Sequence, residues 1–229
     1  NLRDKLAALA ELGIDRVMVE HFNAAFARLT PEEFVSEIIV KRLNAKWILI
    51  GDDFCYGAKR AGNFASLKAA GEKYDFEVSS LQTIQENGER ISSSALRAAL
   101  ASGDMQQAEK LLGRPYGISG HVIHGQKLGR QLGFPTLNLA VANHLHHRKP
   151  ASTGIFTAQV LGLSDKPLPA VASLGVRPTV EDEGRVLLET HIFDYNADVY
   201  GKIITVELLE KIRDEAKYSD LETLTKAIA

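Results

Sequence analysis

The chain has 229 residues, of which 27 are basic and 29 are acidic, so its formal net charge is −2. Hydrophobic residues make up 45% and charged residues 24%, a composition typical of globular proteins and unlike that of disordered or fibrous ones. The single cysteine, Cys55, rules out an internal disulfide. No apolar stretch approaches the ~20 residues of a transmembrane helix, and the near-neutral charge argues against binding along a nucleic-acid backbone.

The sequence starts at Asn1 rather than at a methionine, and no charged segment followed by an apolar one is visible near the start. A charged segment followed by an apolar one is typical of secretory signals. We therefore expect a cytoplasmic protein that does not associate with membranes. The length predicts one large domain or two small ones.

Residues 1–112 alternate between helical and strand patterns. Leucines at helical spacing predict a first helix ending at Gly13, and the apolar segment 14–19 predicts a short strand. Thr30 and Glu33 around Pro31 predict a capping box at the start of the next helix. The apolar stripe predicted for that helix consists of Phe34, Ile38 and Leu43.

The rest of this region continues the same alternation. The pattern predicts a strand over 47–50, a helix over 64–74 and a strand over 76–81, which together favour a parallel sheet covered by helices. A serine run at 92–94 opens another helix. Asp104 caps a last helix that ends near Leu112, where we place a domain boundary.

Residues 113–229 have a different texture, with short β-rich segments separated by turn residues. Regular spacing of short strands predicts an antiparallel barrel or sandwich. The stretch 221–228 predicts a C-terminal helix. This half holds 13 basic and 13 acidic residues and six of the seven histidines.

The densest candidate site is the glycine-rich segment 125–138. Gly125, Gly129 and Gly133 allow the backbone to approach a ligand closely and let amide groups converge on phosphate oxygens. Lys127 and Arg130 add positive charge, and Pro135 stiffens the exit of the segment. The alternative is a glycine-rich hairpin between two strands.

Two oxygen-bearing side chains follow Pro135 in this segment. Thr136 and Asn138 are two residues apart, so they point the same way along an extended backbone. A hydroxyl and an amide oxygen side by side suit Mg²⁺ that carries a nucleotide. The segment lacks the Gly-Lys-Ser/Thr of a Walker A loop.

A candidate general base lies in the segment 187–193. Strand alternation places Glu189 on one face with His191 and Phe193, opposite Leu188, Thr190 and Ile192. A carboxylate at a barrel mouth can take the proton of a hydroxyl nucleophile in phosphoryl transfer. The alternative is a solvated glutamate on a strand face.

Two loops of the first half are also candidates. Ser92, Ser93 and Ser94 with Arg97 one turn later place hydroxyls, free amides and positive charge at a helix start, which favours an anion or serves as a plain N-cap. The loop 51–57 follows a buried strand, and its Asp53, Phe54 and Gly57 suit a nucleotide or ring, or form a simple turn. We do not expect a zinc site at His144, His146 and His147, or a nucleophilic role for Cys55.

The segment Gly129-Arg130-Gln131-Leu132-Gly133-Phe134-Pro135-Thr136-Leu137-Asn138 resembles the riboflavin kinase family. The whole chain resembles the bacterial bifunctional riboflavin kinases/FMN adenylyltransferases, with the motifs in the family's order. The other matching segments are Gly51-Asp52-Asp53-Phe54, Tyr56-Gly57, Ile91-Ser92-Ser93-Ser94 with Arg97, Gly113-Arg114-Pro115-Tyr116, Gly175-Val176-Arg177-Pro178-Thr179, Glu189 and Val199-Tyr200-Gly201.

This resemblance implies two domains. Residues 1–112 resemble an FMN adenylyltransferase α/β domain that joins AMP to FMN, with nucleotide and flavin contacts at 53–57 and 92–97. Residues 113–229 resemble a riboflavin kinase, a Greek-key barrel with a C-terminal helix. There Thr136 and Asn138 would hold Mg²⁺ with ATP, and Glu189 would deprotonate the ribityl 5′-hydroxyl. Arg213 and Glu215 would lie in a loop over the flavin.

The sequence departs from the family at one motif. The adenylyltransferase domain of the family begins with a strand and a glycine-rich loop bearing a His-x-x-His signature. Neither His21 nor any later histidine has that context here. We therefore expect this polypeptide to phosphorylate riboflavin but not to make FAD.

Two other functions remain to be weighed against a kinase. A non-catalytic flavin or nucleotide binder would need no base, so Glu189 together with Thr136 and Asn138 speaks against it. A β-barrel nucleic-acid module would carry a basic, aromatic-laced face, which residues 113–229 lack. We expect riboflavin, FMN and ATP as small-molecule partners and no nucleic acid. The sequence does not reveal the oligomeric state.

Overall fold

The computed structural model describes residues 2–86, 88–125, 129, 133–140, 150–176, 186–216, 223 and 225. The chain packs as two compact units, one of Lys5–Arg90 and the other of Asn1–Asp4 with Ile91–Ala229. The domain boundary expected at residue 112 stays a prediction.

The chain begins with helix α1 (Leu2–Glu11), none of whose residues is buried. The strand predicted over 14–19 is wrong, because within the described residues this segment enters no ladder. Its Val17, Met18 and Val19 are all exposed. A β-strand requires a neighbour for its backbone N–H and C=O groups, and apolar alternation alone does not supply one.

The predicted capping box is confirmed at helix α2 (Pro31–Glu33). The Thr30 hydroxyl accepts from the Glu33 amide, and the Thr30 amide donates to the Glu33 carboxylate at 2.8 Å. The helix then continues as a π-helix over Phe34–Arg42, which buries Val35, Ile38 and Ile39. The predicted stripe is therefore wrong at Leu43, which is exposed, because a wider turn changes which positions share a face.

The predicted βαβ pattern is confirmed in this unit. Strand β1 (Trp47–Gly51) pairs in parallel with β2 (Glu77–Leu81), and helix α3 (Phe64–Tyr74) connects them. Ile48 and Ile50 face a small core around Leu67 and Phe76. A two-residue hairpin, β3 (Gln85–Glu86) and β4 (Glu89–Arg90), ends the unit.

Two helices open the second unit. Helix α4 (Ser93–Ser102) is capped by Ser92 and α5 (Met105–Leu112) by Asp104, as the sequence predicts. Gly103 joins them with a φ of +80°, a left-handed conformation that glycine adopts without strain. Both helices contribute residues to the core of the barrel that follows.

Six antiparallel strands then form the predicted closed barrel. In chain order they are β5 (Tyr116–Ile123), β6 (Leu137–Ala140), β7 (Gly154–Leu161), β8 (Leu168–Val176), β9 (Val186–Ile192) and β10 (Ile203–Arg213). Around the barrel the order is β10-β5-β6-β9-β8-β7. Inward positions such as Phe156, Leu139 and Leu188 are fully buried and alternate with outward ones. The C-terminal helix predicted over 221–228 lies largely outside the described residues.

Candidate functional site

A row of directly paired residues crosses the outer face of the barrel. Asn138 on β6 stands opposite Glu189 on β9, and Glu189 stands opposite Ser173 on β8. Ser173 in turn pairs with Ile155, and Ile155 with Arg213 on β10. Directly opposite residues of antiparallel strands share a face and have Cβ atoms about 5 Å apart. The row therefore brings the predicted base beside a predicted metal ligand.

The face of Glu189 is the one that strand alternation predicts. Leu188, Thr190 and Ile192 are buried in the barrel interior, whereas Glu189 is half-buried on the opposite side. The carboxylate therefore lies on the outer wall of the barrel.

Gly125 and Gly129 lie close to the predicted Mg²⁺ ligands Asn138 and Thr136. A Cβ at Gly125 would collide with the Asn138 side-chain amide, and Asn138 is 6% exposed although it faces outward. A Cβ at Gly129 would collide with the Phe134 carbonyl oxygen, which leaves Gly129 within contact of Thr136. Gly133 has a φ of +86°. Glycine at these positions thus brings the backbone close to both predicted Mg²⁺ ligands.

A second carboxylate approaches Glu189 from the segment after β10. The Glu215 carboxylate occupies the space that a Cβ of Gly175 would need, on the strand that pairs with β9. Burial raises the pKa of the Glu215 carboxyl, and the negative charge of Glu189 raises that pKa further. Two acidic groups therefore share this part of the outer face.

A cavity of about 340 Å³ is lined by residues of β6 and β9 that alternate with Asn138 and Glu189, together with neighbouring loop residues. Its walls are Pro135, Thr136 and Leu137, then Thr190 and Ile192, and then the segment 195–200. Thr190 is fully buried, and its hydroxyl has no hydrogen-bond partner within the described part of the chain. A buried hydroxyl without a partner is costly to the stability of the fold.

Aromatic and imidazole groups support the rim of this cavity. His191 Nδ1 donates to the Pro135 carbonyl oxygen at 2.8 Å, and the His191 ring packs edge-on against Phe134 and Phe193. On the other side, the His124 ring lies 3.7 Å from the ring of Tyr200. These contacts fix the backbone on both sides of the opening.

The loop after β1 is built within the first unit. Arg90 Nη2 donates to Asp53 at 3.2 Å, and the ring of Phe54 stacks on Tyr56 with centroids 5.7 Å apart. Gly57 has a φ of +70°, and a Cβ there would lie 2.7 Å from the Pro31 nitrogen. These contacts hold the three predicted residues of this loop in one turn.

The neighbouring Asp52 has a perturbed acidity. A 2.6 Å hydrogen bond from the Thr83 hydroxyl is the main reason that the pKa of the Asp52 carboxyl lies below its ordinary value, and the charge of Arg90 acts in the same direction. Asp52 is therefore ionised at neutral pH and oriented by both neighbours.

The serine run serves first as a helix cap. The Ser92 hydroxyl accepts from the Ala95 amide at 3.1 Å. Ser93 and Ser94 are exposed at the helix start, and Arg97 donates to the Ser93 carbonyl oxygen at 3.3 Å. The anion-binding role predicted for this run stays a prediction.

Several predicted residues lie outside the described residues, namely Lys127, Arg130, Arg177, Pro178, Thr179, His144, His146 and His147. Within the described ranges, no group of three or more His, Cys, Asp or Glu side chains is arranged to hold a metal ion. Thr190, which lines the cavity, was not among the predicted site residues. The one signal for it in the sequence is that Thr190 carries a hydroxyl, whereas Leu188 and Ile192, the other inward-facing residues nearby on this strand, are apolar.

Family models match both halves of the chain. The model described as riboflavin kinase (Flavokinase) matches residues 112–229, and the one described as FAD synthetase matches residues 1–95. Over the parts that the structure describes, no helix is both long and apolar enough to cross a bilayer.

Two curated relatives align over nearly the entire chain. The bifunctional riboflavin kinase/FMN adenylyltransferase of Escherichia coli K12 is 46% identical over 228 residues, which cover 100% of this chain and 71% of the relative. The protein with the same description from Haemophilus influenzae is 41% identical over 223 residues, 97% of this chain and 71% of the relative. A solved structure described as a macrolide-efflux protein from Streptococcus pneumoniae has a TM-score of 0.82 and 30% identity, covering 100% of this chain and 72% of that one.

Proposed function

The chain belongs to the family of bifunctional riboflavin kinases/FMN adenylyltransferases, and we propose that its barrel transfers the γ-phosphoryl group of ATP to riboflavin. The observation that carries this proposal is the direct pairing of Asn138 with Glu189. It places a metal-type ligand and a base opposite each other on two neighbouring strands.

The nucleotide is assigned to the cavity and the backbone around it. Thr136 lines the cavity and Asn138 follows it on β6, and their oxygens are of the kind that Mg²⁺ accepts. Bound Mg²⁺ neutralises charge on the phosphate oxygens. The chain itself contributes close backbone approach at Gly125 and Gly129.

Glu189 is assigned as the general base. It takes the proton of the ribityl 5′-hydroxyl as that oxygen bonds to the γ-phosphorus and the bond to the β,γ-bridging oxygen breaks. The products are FMN and ADP, and the proton stays on Glu189 until solvent removes it. Arg213, at the end of the row that contains Glu189, and Glu215, which follows it, are assigned to the flavin side.

The first unit is assigned to the second activity of the family, transfer of AMP to FMN. Asp53, Phe54 and Gly57 would contact nucleotide or flavin there. Ser92, Ser93, Ser94 and Arg97, at the start of α4 in the second unit, are proposed separately as nucleotide contacts.

The test is an incubation of the folded chain with riboflavin, ATP and MgCl₂, followed by chromatographic separation of the flavins. FMN that accumulates in proportion to enzyme supports the kinase. Riboflavin that binds but is never converted would replace the kinase with a non-catalytic flavin binder. A second incubation with FMN and ATP tests the first unit, where formation of FAD would support its assignment.

A further inference from the structure

A lysine that the proposed mechanism does not use lies at the end of β10. The side chain of Lys211 is only 18% exposed, although it belongs to a strand whose neighbours Glu210 and Ile212 are exposed. Lysine is rarely buried to this extent unless it is paired. Its ammonium group pairs with Asp214 Oδ1 at 2.6 Å, three residues later.

The stem of Lys211 fits a slot made by two glycines. A Cβ at Gly103, in the turn between α4 and α5, would collide with Lys211 Cδ. A Cβ at Gly154, at the start of β7, would lie 2.8 Å from Lys211 Cε. The methylene stem thus packs against the turn and the strand, while the charged head reaches Asp214.

The backbone at this point changes register. Lys211 pairs with Phe156 and Arg213 pairs with Ile155, so Ile212 is an extra residue in β10. Such a bulge bends a strand and redirects the side chains that follow it. Here it places Arg213 at the end of the row that contains Glu189, and the chain then carries Glu215 to Gly175.

We propose that Lys211 is a positioning residue for the kinase site, because its glycine-lined slot and its ion pair with Asp214 hold the segment 213–215 against the outer face beside Glu189. The kinetic effect expected of Lys211 rests on the proposed kinase function. Lys211 holds the segment assigned to the flavin, so its effect should be on the flavin side of the site. Asn138 is on β6, and the residues that line the cavity, Thr136 among them, come from other parts of the chain.

Two variants separate the parts of this arrangement. Lys211→Met keeps the stem and removes the charge, and Asp214→Asn removes the partner charge. Each variant raises KM for riboflavin about three- to fivefold, the range expected of a pair with one exposed member, and leaves KM for ATP unchanged. Because both variants remove the same pair, the double variant is no worse than either one alone. Lys211→Arg keeps the positive charge, so its KM for riboflavin should equal that of wild type. Lys166→Met, in the exposed β7–β8 turn, is the matched control.

Proteolysis provides a readout that needs no activity. Glutamyl endopeptidase should cleave after Glu215 faster in Lys211→Met than in wild type or Lys166→Met, as followed by mass spectrometry. Equal cleavage rates would overturn the inference, and so would equal increases in both KM values. If wild type makes no FMN, the proposed function fails, whereas the cleavage rates still decide whether Lys211 holds the segment.

Discussion

Asn138 stands directly opposite Glu189 across the β6–β9 ladder, and this pair is the centre of the site. The two residues are 51 positions apart in the sequence, so their meeting depends on the register of two antiparallel strands. The same register places Thr190 opposite Leu137, and both residues line the cavity. The pairing of β6 with β9 therefore sets the positions of the predicted metal ligand Asn138, the predicted base Glu189 and the cavity residue Thr190.

Replacement of Asn138 tests the metal side of this pair. Asn138→Ala removes one of the two predicted Mg²⁺ ligands, so we expect weaker binding of Mg-ATP, by on the order of 10- to 100-fold. Isothermal titration with Mg-ATP gives the affinity, and riboflavin titrated in parallel should bind as it does to wild type. A nucleotide affinity equal to that of wild type would count against the ligand role.

Gly125 tests whether close backbone approach matters. In Gly125→Ala the new Cβ collides with the Asn138 amide, so the amide or the loop must shift. We expect KM for ATP to rise about tenfold, the cost of about 1.4 kcal/mol of lost binding. Gly51→Ala is the control, because its Cβ would meet Asp53 Oδ1 at an ordinary 3.4 Å. Equal KM values for both variants would contradict this role.

Thr190 tests the cost of a buried hydroxyl that lacks a partner. Thr190→Val replaces this hydroxyl with a methyl group of similar shape, so the protein should gain about 1 kcal/mol in unfolding free energy. Ser152→Ala is the matched control, since Ser152 is also buried and unpartnered among the described residues. It should also gain stability, and a Thr190→Val protein no more stable than wild type would contradict the prediction.

Glu215 predicts a pH dependence of stability. The pKa of its carboxyl is raised by burial and by Glu189 above an ordinary value near 4.5, so the folded state binds this proton more tightly than the unfolded state does. Its contribution is therefore fully present below about pH 4.5 and is lost as pH rises through the raised pKa. In Glu215→Gln the side chain does not ionise, so no stability is lost at this position as pH rises. The Tm of this variant should therefore exceed that of wild type by an amount that grows from pH 4 to pH 7. A Tm difference that is constant with pH, or identical in Glu210→Gln, would contradict the prediction.

Local signals in the sequence predicted most of the elements. Thr30, Pro31 and Glu33 act within one helical turn, and Asn63 through Tyr74 form a helix with its own cap, so no distant residue is needed to find them. The alternating pattern of β9 likewise predicted which face carries Glu189. These features depend on residues a few positions apart.

Other features depend on partners that the local pattern does not contain. The segment 14–19 has a strand's apolar residues and no ladder within the described chain, and the π-helix moves the buried face from Leu43 to Val35 and Ile39. The slot of Lys211 is made by Gly103 and Gly154, which lie 108 and 57 positions earlier in the sequence. Such contacts follow from the closed barrel and its register.

The central claim is that Glu189 takes the proton of the riboflavin hydroxyl, and Glu189→Gln tests it most directly. Steady-state kinetics of FMN formation should show kcat reduced by about 10²- to 10⁴-fold, the usual contribution of a general base. Mg-ATP affinity by calorimetry should stay near that of wild type, and Glu210→Gln should keep full turnover. A Glu189→Gln protein with wild-type kcat would contradict the claim and remove Glu189 from the mechanism.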